Sequence, residues 1–146
     1  MTETTVQDPE RIAVGELTIR FLAEGAADGT AASLFEFTVP AGAKVPAAHR
    51  HDGYVETIYG LRGVLTMTVD GEASAIGAGD VLRIERGVAH RFDNHGEAEA
   101  TALAIVTPGL LGPEYFRELG ALLAGGGPPD PAAIGAVMRR HGISPA

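Results

Sequence analysis

From Leu17 to Thr107 apolar and polar side chains mostly alternate, the period-two pattern of strands with one buried face. Leu34-Phe35-Glu36-Phe37-Thr38-Val39 places Phe35, Phe37 and Val39 on one side, and Val64–Val69 does the same for Leu65, Met67 and Val69. Asp70-Gly71 suits a two-residue hairpin turn leading into Glu72–Ile76. Further strands are predicted at Leu17–Leu22, Tyr54–Tyr59, Val81–Ile84, His90–Asp93 and Thr101–Val106. Glycine (20 residues) and proline (9 residues) interrupt the apolar runs at short intervals, which favours many short strands joined by tight turns. The pattern therefore predicts an all-β sandwich or barrel.

Beyond Pro108 the period changes. Glu114–Leu123 carries Phe116, Leu119, Leu122 and Leu123 at helical spacing. A loop of glycines and prolines, residues 125–129, follows. Asp130-Pro131 then offers an N-cap and a first-turn proline, and Gly142 a stop, for a second helix. Its apolar stripe is Ile134, Val137 and Met138, and Arg139, Arg140 and His141 crowd its last turn, where positive charge suits the helix dipole. Both helices are expected to pack on the outside of the barrel in a structural role. Residues 1–146 read as one domain, with a core barrel at about 17–107 and a helical extension at about 112–142.

Composition narrows the function. There are 11 basic and 19 acidic residues, a net charge of −8, and no local Lys/Arg cluster. Arg83, Arg86 and Arg91 come nearest but are interleaved with Glu85 and apolar residues, so nucleic-acid binding is disfavoured. No stretch is apolar enough to span a membrane. Met1–Arg11 is polar and acidic, unlike a secretory signal, and is expected to be a frayed tail. Cysteine is absent, which removes disulfides and thiolate ligands and fits a reducing, cytoplasmic setting.

The candidate chemistry lies between Gly42 and Asn94. His49-Arg50-His51 puts two imidazoles at i and i+2, hence on one face of a strand. Glu56 would point away in an uninterrupted strand, but Asp52-Gly53 can bend the chain and bring it back. His90 belongs to a distant strand that only a closed fold can bring to the same point. Three imidazoles and a carboxylate suit one divalent transition metal, Fe, Mn, Co, Ni, Cu or Zn, with positions left for water or substrate. His95 and His141 lack such context and read as surface or hydrogen-bonded residues. Asn94 reads as a turn former.

These residues resemble a family. Gly42, six residues, His49-x-His51, four residues, Glu56, six residues and Gly63 are similar to the first cupin motif. Gly79, five residues, Glu85-Arg86-Gly87-Val88-Ala89-His90 and Asn94 are similar to the second. The gap after Gly42 is one residue longer than usual, and Glu85 stands where the family commonly has proline. The resemblance spans about Val39–Thr107 and implies a small single-domain cupin of bacterial type. It implies an all-β double-stranded β-helix, or small jelly-roll, barrel with two C-terminal helices, commonly a homodimer. It also implies metal ligation by His49, His51, Glu56 and His90, one divalent metal per chain. Small cupins similar to quercetinase-type dioxygenases carry such a site. Pro113-Glu114-Tyr115-Phe116, Pro128-Pro129-Asp130-Pro131 and Arg140-His141-Gly142 also resemble the tails of small bacterial cupins of this description.

The expected activity is dioxygenase chemistry on a small enol, phenol or diketone beside dioxygen, with Glu56 leaving the metal to act as general base. A lyase, isomerase, decarboxylase or cyclase using the metal as Lewis acid is the alternative on the same residues, and a non-catalytic metal or small-molecule binder is the third reading. Phe37, Tyr54, Tyr59, Met67 and Phe92 are the candidates for pocket walls. Arg62 and Arg83 are the candidate clamps for an anion.

Overall fold

Nested strand pairs organise the chain. The computed structural model describes residues 6, 8–26, 28 and 30–146. The strands are β1 (Glu10–Val14), β2 (Leu17–Ala23), β3 (Ser33–Val39), β4 (His49–His51), β5 (Val55–Arg62), β6 (Leu65–Val69), β7 (Glu72–Ile76), β8 (Val81–Ile84), β9 (His90–Asp93), β10 (Ala100–Thr107) and β11 (Ile143–Pro145). β3 pairs with β10, β4 with β9, β5 with β8 and β6 with β7, each antiparallel. The segment from β3 to β10 thus behaves as one long hairpin. Its successive rungs fall alternately into a six-stranded sheet, β1-β2-β3-β10-β5-β8, and a five-stranded sheet, β11-β4-β9-β6-β7. This mostly-β jelly roll agrees with the expected fold class.

Alternation explains the core. In β3, Ser33, Phe35, Phe37 and Val39 are buried while Leu34, Glu36 and Thr38 are only half covered. Leu65 and Met67 of β6 face the same interior, each about 1% exposed. The Asp70-Gly71 turn has φ of 49° and 83°, the left-handed pair that a tight hairpin between twisted strands requires. Tyr54, although buried, precedes β5 rather than opening it. Val64 precedes β6 and is exposed.

The termini depart from expectation. Glu10 and Arg11 are not tail residues: they pair with Phe21 and Arg20 at the start of β1. The rest of the expected tail is described only at Val6 and residues 8–9; Met1–Thr5 and Gln7 lie outside the described residues. The helices form as predicted, α1 at Pro113–Leu123 and α2 at Pro131–Arg140, with Asp130 Oδ1 accepting from the Ala132 N–H at 3.0 Å. Val137 and Met138 of α2 are buried and Ile134 packs against the core, as the stripe requires.

The inner face of α1 is rotated from the expected one. Tyr115, Phe116 and Leu119 are buried, whereas Leu122 is 41% exposed. Gly120 lies against the Ala13 carbonyl, where a Cβ would collide, and Arg117 pairs with Glu10. This close approach seats α1 on β1 and drives Phe116 against Phe21 and Phe35, at ring separations of 6.1 and 4.8 Å. The helix is therefore part of the core rather than an outer cover.

Beyond Gly142 (φ 75°) the chain turns into β11, a strand not predicted from sequence. It lies along β4, pairing Ile143 with His51, Ser144 with Arg50 and Pro145 with His49. Further bonds fasten it. The Asp52 N–H donates to the Gly142 carbonyl at 2.9 Å, Ser144 Oγ donates to Asp52 Oδ2 at 2.8 Å, and the Ala146 N–H donates to the Ala48 carbonyl at 2.9 Å.

Candidate metal centre

Two adjacent strands carry the histidines. His49 and His51 share one face of β4, and the β4–β9 pairing sets His90 directly opposite His49. The fold closes a gap of some forty residues in sequence to ring-centroid separations of 5.2 Å (His49–His51), 4.5 Å (His49–His90) and 4.6 Å (His51–His90). One nitrogen from each ring lies within 4.8 Å of the other two. Nitrogens bound to a common metal stand roughly 3–4 Å apart, so only a small closure separates this arrangement from shared coordination.

Hydrogen bonding orients the rings. His49 Nδ1 and His90 Nδ1 each lie 3.0 Å from a carbonyl two residues upstream, Ala47 and Val88. A carbonyl only accepts, so each Nδ1 carries the proton and each Nε2 keeps its lone pair for the cluster. His51 Nδ1 and His90 Nε2 are buried and meet no hydrogen-bond partner among the described residues. Unpartnered buried ring nitrogens of this kind carry a desolvation cost that a bound cation would relieve. The donor set therefore fits a divalent metal ion.

Burial holds the cluster neutral. It pushes the imidazole pKa of His49 down to about 4 and that of His51 to about 2, with neighbouring rings adding to the effect. His90 is lowered too, chiefly by burial and against the bond to the Val88 carbonyl. Neutral imidazole is the form that ligates.

Glu56 stands beside the cluster. The bend at Asp52-Gly53 separates β4 from β5, and Glu56 becomes the second residue of the new strand, so the parity of a continuous strand no longer applies. It is buried, with Oε1 3.9 Å from His90 Nε2, but lies outside the group whose nitrogens share the 4.8 Å radius. Burial raises its pKa to about 7, and among the described residues no Lys or Arg pairs with it.

The cluster opens into a cavity of about 60 Å³ between the sheets, lined by Phe37, Met67 and Phe92 as expected. This exceeds the roughly 10–15 Å³ that a single water requires. The other expected wall residues lie elsewhere. Tyr59 is exposed on the outer face of β5; Tyr54 is fully buried behind the site, its ring 4.8 Å from that of His51 and its hydroxyl donating to the His141 carbonyl at 3.3 Å. Arg62 and Arg83 do not reach the cavity: Arg62 bonds Thr101 Oγ1 at 3.0 Å and Arg83 pairs with Glu85. Asn94 is buried and staples a loop, donating to the Val39 and Ala98 carbonyls at 2.9 Å each. His95 is exposed, and His141 lies 3.3 Å from Glu118.

Sequence reasoning missed the C-terminal wall. Leu111, Tyr115, Phe116, Leu119 and Ile143 all line the cavity. The spacing of Phe116 and Leu119 marked an apolar helix face, but periodicity alone does not say what that face covers.

Comparison with known proteins agrees with this geometry. Residues 35–106 match the family described as the cupin domain. The quercetin 2,3-dioxygenase of Bacillus subtilis (strain 168) is 35% identical over 74 residues, 49% of this chain. The match spans only 21% of that enzyme's length. Among solved structures, a protein of Thermotoga maritima described as a predicted oxalate decarboxylase superposes with a TM-score of 0.62 at 27% identity, covering 72% of this chain and 99% of that one. A cupin-domain protein of Rhodospirillum rubrum superposes with a TM-score of 0.59 at 18% identity, over 73% of this chain and 74% of its own. Among the described residues no helix is long and apolar enough to cross a membrane. With two nested antiparallel sheets, a three-histidine cluster in which His51 and His90 are buried, and the family match over residues 35–106, the chain is a cupin-domain protein.

Proposed function

We propose that this chain is a metal-dependent enzyme acting on a small, oxygenated, largely apolar substrate such as an enol, phenol or diketone, by dioxygenase chemistry. The observation that carries the reading is the pair of buried, unpartnered imidazole nitrogens, His51 Nδ1 and His90 Nε2, beside an apolar cavity. His49, His51 and His90 would hold one divalent transition metal per chain, with Glu56 as a fourth ligand. When bound, such an ion supplies Lewis acidity and, if redox-active, reactivity toward dioxygen. The residues do the rest. Glu56, buried and without a cationic partner, accepts the substrate hydroxyl proton, and Phe37, Met67 and Phe92 exclude water around the reacting atoms.

The cavity selects by size and charge. Among the described residues no Lys or Arg lines it, so a strongly anionic substrate has no clamp beyond the metal. Its volume favours a small molecule over a flavonol, although the quercetinase match supports oxidative chemistry. A second reading, Lewis-acid decarboxylase, lyase or isomerase chemistry, draws on the likeness to the Thermotoga protein described as a predicted oxalate decarboxylase. Metal identity separates the two.

The test is elemental analysis of the purified protein offered several metals, followed by oxygen uptake with small diketones and phenols. Iron, manganese, cobalt, nickel or copper near one per chain, with oxygen consumption, is the expected outcome. Zinc alone, with no oxygen consumed, moves the assignment to the Lewis-acid reading. His90→Ala should lose metal while the β-sheet circular dichroism is retained; full occupancy in this variant would sink the site assignment.

A further inference from the structure

Among the described residues that line the cavity, all but His49, His51, His90 and Glu56 present hydrocarbon, ring or thioether groups, with one exception. That exception is Tyr115, the third residue of α1. It is 7% exposed, and its ring packs 5.1 Å from Phe116 and 5.4 Å from His141, which fixes the side chain between the helix and the barrel. Its phenol shares the cavity with Glu56, and the charge of that carboxylate adds to burial in raising the Tyr115 pKa. Among the described residues no protein group accepts a hydrogen bond from its hydroxyl. It is not one of the fully enclosed unpartnered atoms, which are His51 Nδ1 and His90 Nε2, so it stays accessible, and an accessible phenol on a residue lining an otherwise apolar cavity suits an oxygen atom that the protein does not itself supply.

We propose that the Tyr115 hydroxyl is a ligand-binding group of this cavity, donating a hydrogen bond to an oxygen of the small molecule taken up beside the histidine cluster. The inference rests on the metal-centre reading above and sharpens its substrate class. The ligand carries at least two oxygens, one for the metal and one that accepts from Tyr115, as an enolised β-diketone does. The barrel strands β4, β5 and β9 supply the proposed metal ligands, whereas the C-terminal extension supplies this contact. The helix therefore takes part in recognition as well as in packing.

Tyr115→Phe removes the hydroxyl and keeps the ring, and cobalt(II)-loaded protein provides a visible spectrum that responds to ligands. Two probes are titrated into wild type and variant: pentane-2,4-dione, and 1-methylimidazole, which binds metal but has no oxygen. The expected result is unchanged cobalt uptake, unchanged thermal midpoint and equal 1-methylimidazole affinity, with the dione bound about tenfold more weakly by the variant. Equal dione affinity in both proteins overturns the role of Tyr115 and leaves the metal-centre reading standing. Parallel weakening of both probes, or of cobalt itself, also overturns it, because the residue would then act on the fold. Cobalt uptake without dione binding by either protein rejects the proposal and the substrate class together. No cobalt uptake by wild type rejects the metal centre on which both depend.

Discussion

At the residue scale, each of two histidines is aimed by a bond to a carbonyl only two residues away, Ala47 for His49 and Val88 for His90. Such short-range bonds form with the strands themselves, so the lone pairs converge before any ion arrives. The cost appears in the metal-free protein. His49, His51 and His90 all have folded-state pKa values below that of an exposed imidazole, so their neutral forms are retained on folding. Their contribution to stability is complete above pH about 6.5 and is lost as pH falls toward the depressed values. Glu56 acts in the opposite sense. Its raised pKa gives stability that is complete below about 4.5 and is lost as pH rises through about 7. Three imidazoles outweigh one carboxyl. The chelator-treated protein should therefore lose roughly 5 °C or more in thermal midpoint between pH 7 and pH 5. Glu56→Gln removes the opposing trend and should steepen that loss. A midpoint that rises on acidification would contradict the neutral-cluster description.

At the element scale, the histidine strand depends on the C-terminus. β4 is three residues long and shares a single ladder position with β9, His49 opposite His90. β11 pairs along the whole of β4 and buries Ile143 to 1% exposure beneath it. Without β11 the backbone carrying two of the three clustered histidines has an open edge. A chain ending at Arg140 should keep its sheet signal but bind cobalt or zinc at least about tenfold more weakly, as competition with a chromophoric chelator would register. Equal affinity would mean that β4 is held by β9 and the neighbouring loops alone. The α2 cap is a useful contrast. Asp130→Ala should cost about 1 kcal/mol of stability in chemical unfolding and leave metal affinity unchanged, because α2 contributes no group to the cavity.

At the scale of the whole molecule, a metal held as proposed would be a cross-sheet tie. β4 and β9 belong to the five-stranded sheet, whereas Glu56 belongs to the six-stranded one. An ion held by all four residues would join the two layers at the cavity. Binding to the folded state alone adds about 2.7 kcal/mol at a free concentration one hundred times the dissociation constant. For a chain of this length that corresponds to roughly 8 °C in thermal midpoint. Differential scanning calorimetry across a zinc or manganese titration should show that increase in the wild type and none in His90→Ala.

Much of this was legible in the sequence because it depends on local chemistry. Alternation in Leu34–Val39 reports which face is buried, Asp70-Gly71 supplies the positive φ of its turn, and Asp130-Pro131 caps α2; each follows from side chains and backbone within a few residues. The i, i+2 spacing of His49 and His51 likewise settles their common face. Their meeting with His90 rested on the need for a closed fold and on the cupin resemblance, since nothing local relates strands forty residues apart. The tertiary structure decided what was non-local: that β1 begins at Glu10, that Tyr59 faces outward while Tyr115 faces inward, and that residues after Gly142 become a strand. The segment Ile143-Ser144-Pro145 is too short for any periodic signal and is extended because β4 offers it an unpaired edge. The rotation of α1 follows from Gly120 lying against Ala13, a contact between two small residues more than a hundred positions apart. A sequence states which residues seek burial; the partner that buries them, and hence the shape of the cavity, exists only once the sheets have closed.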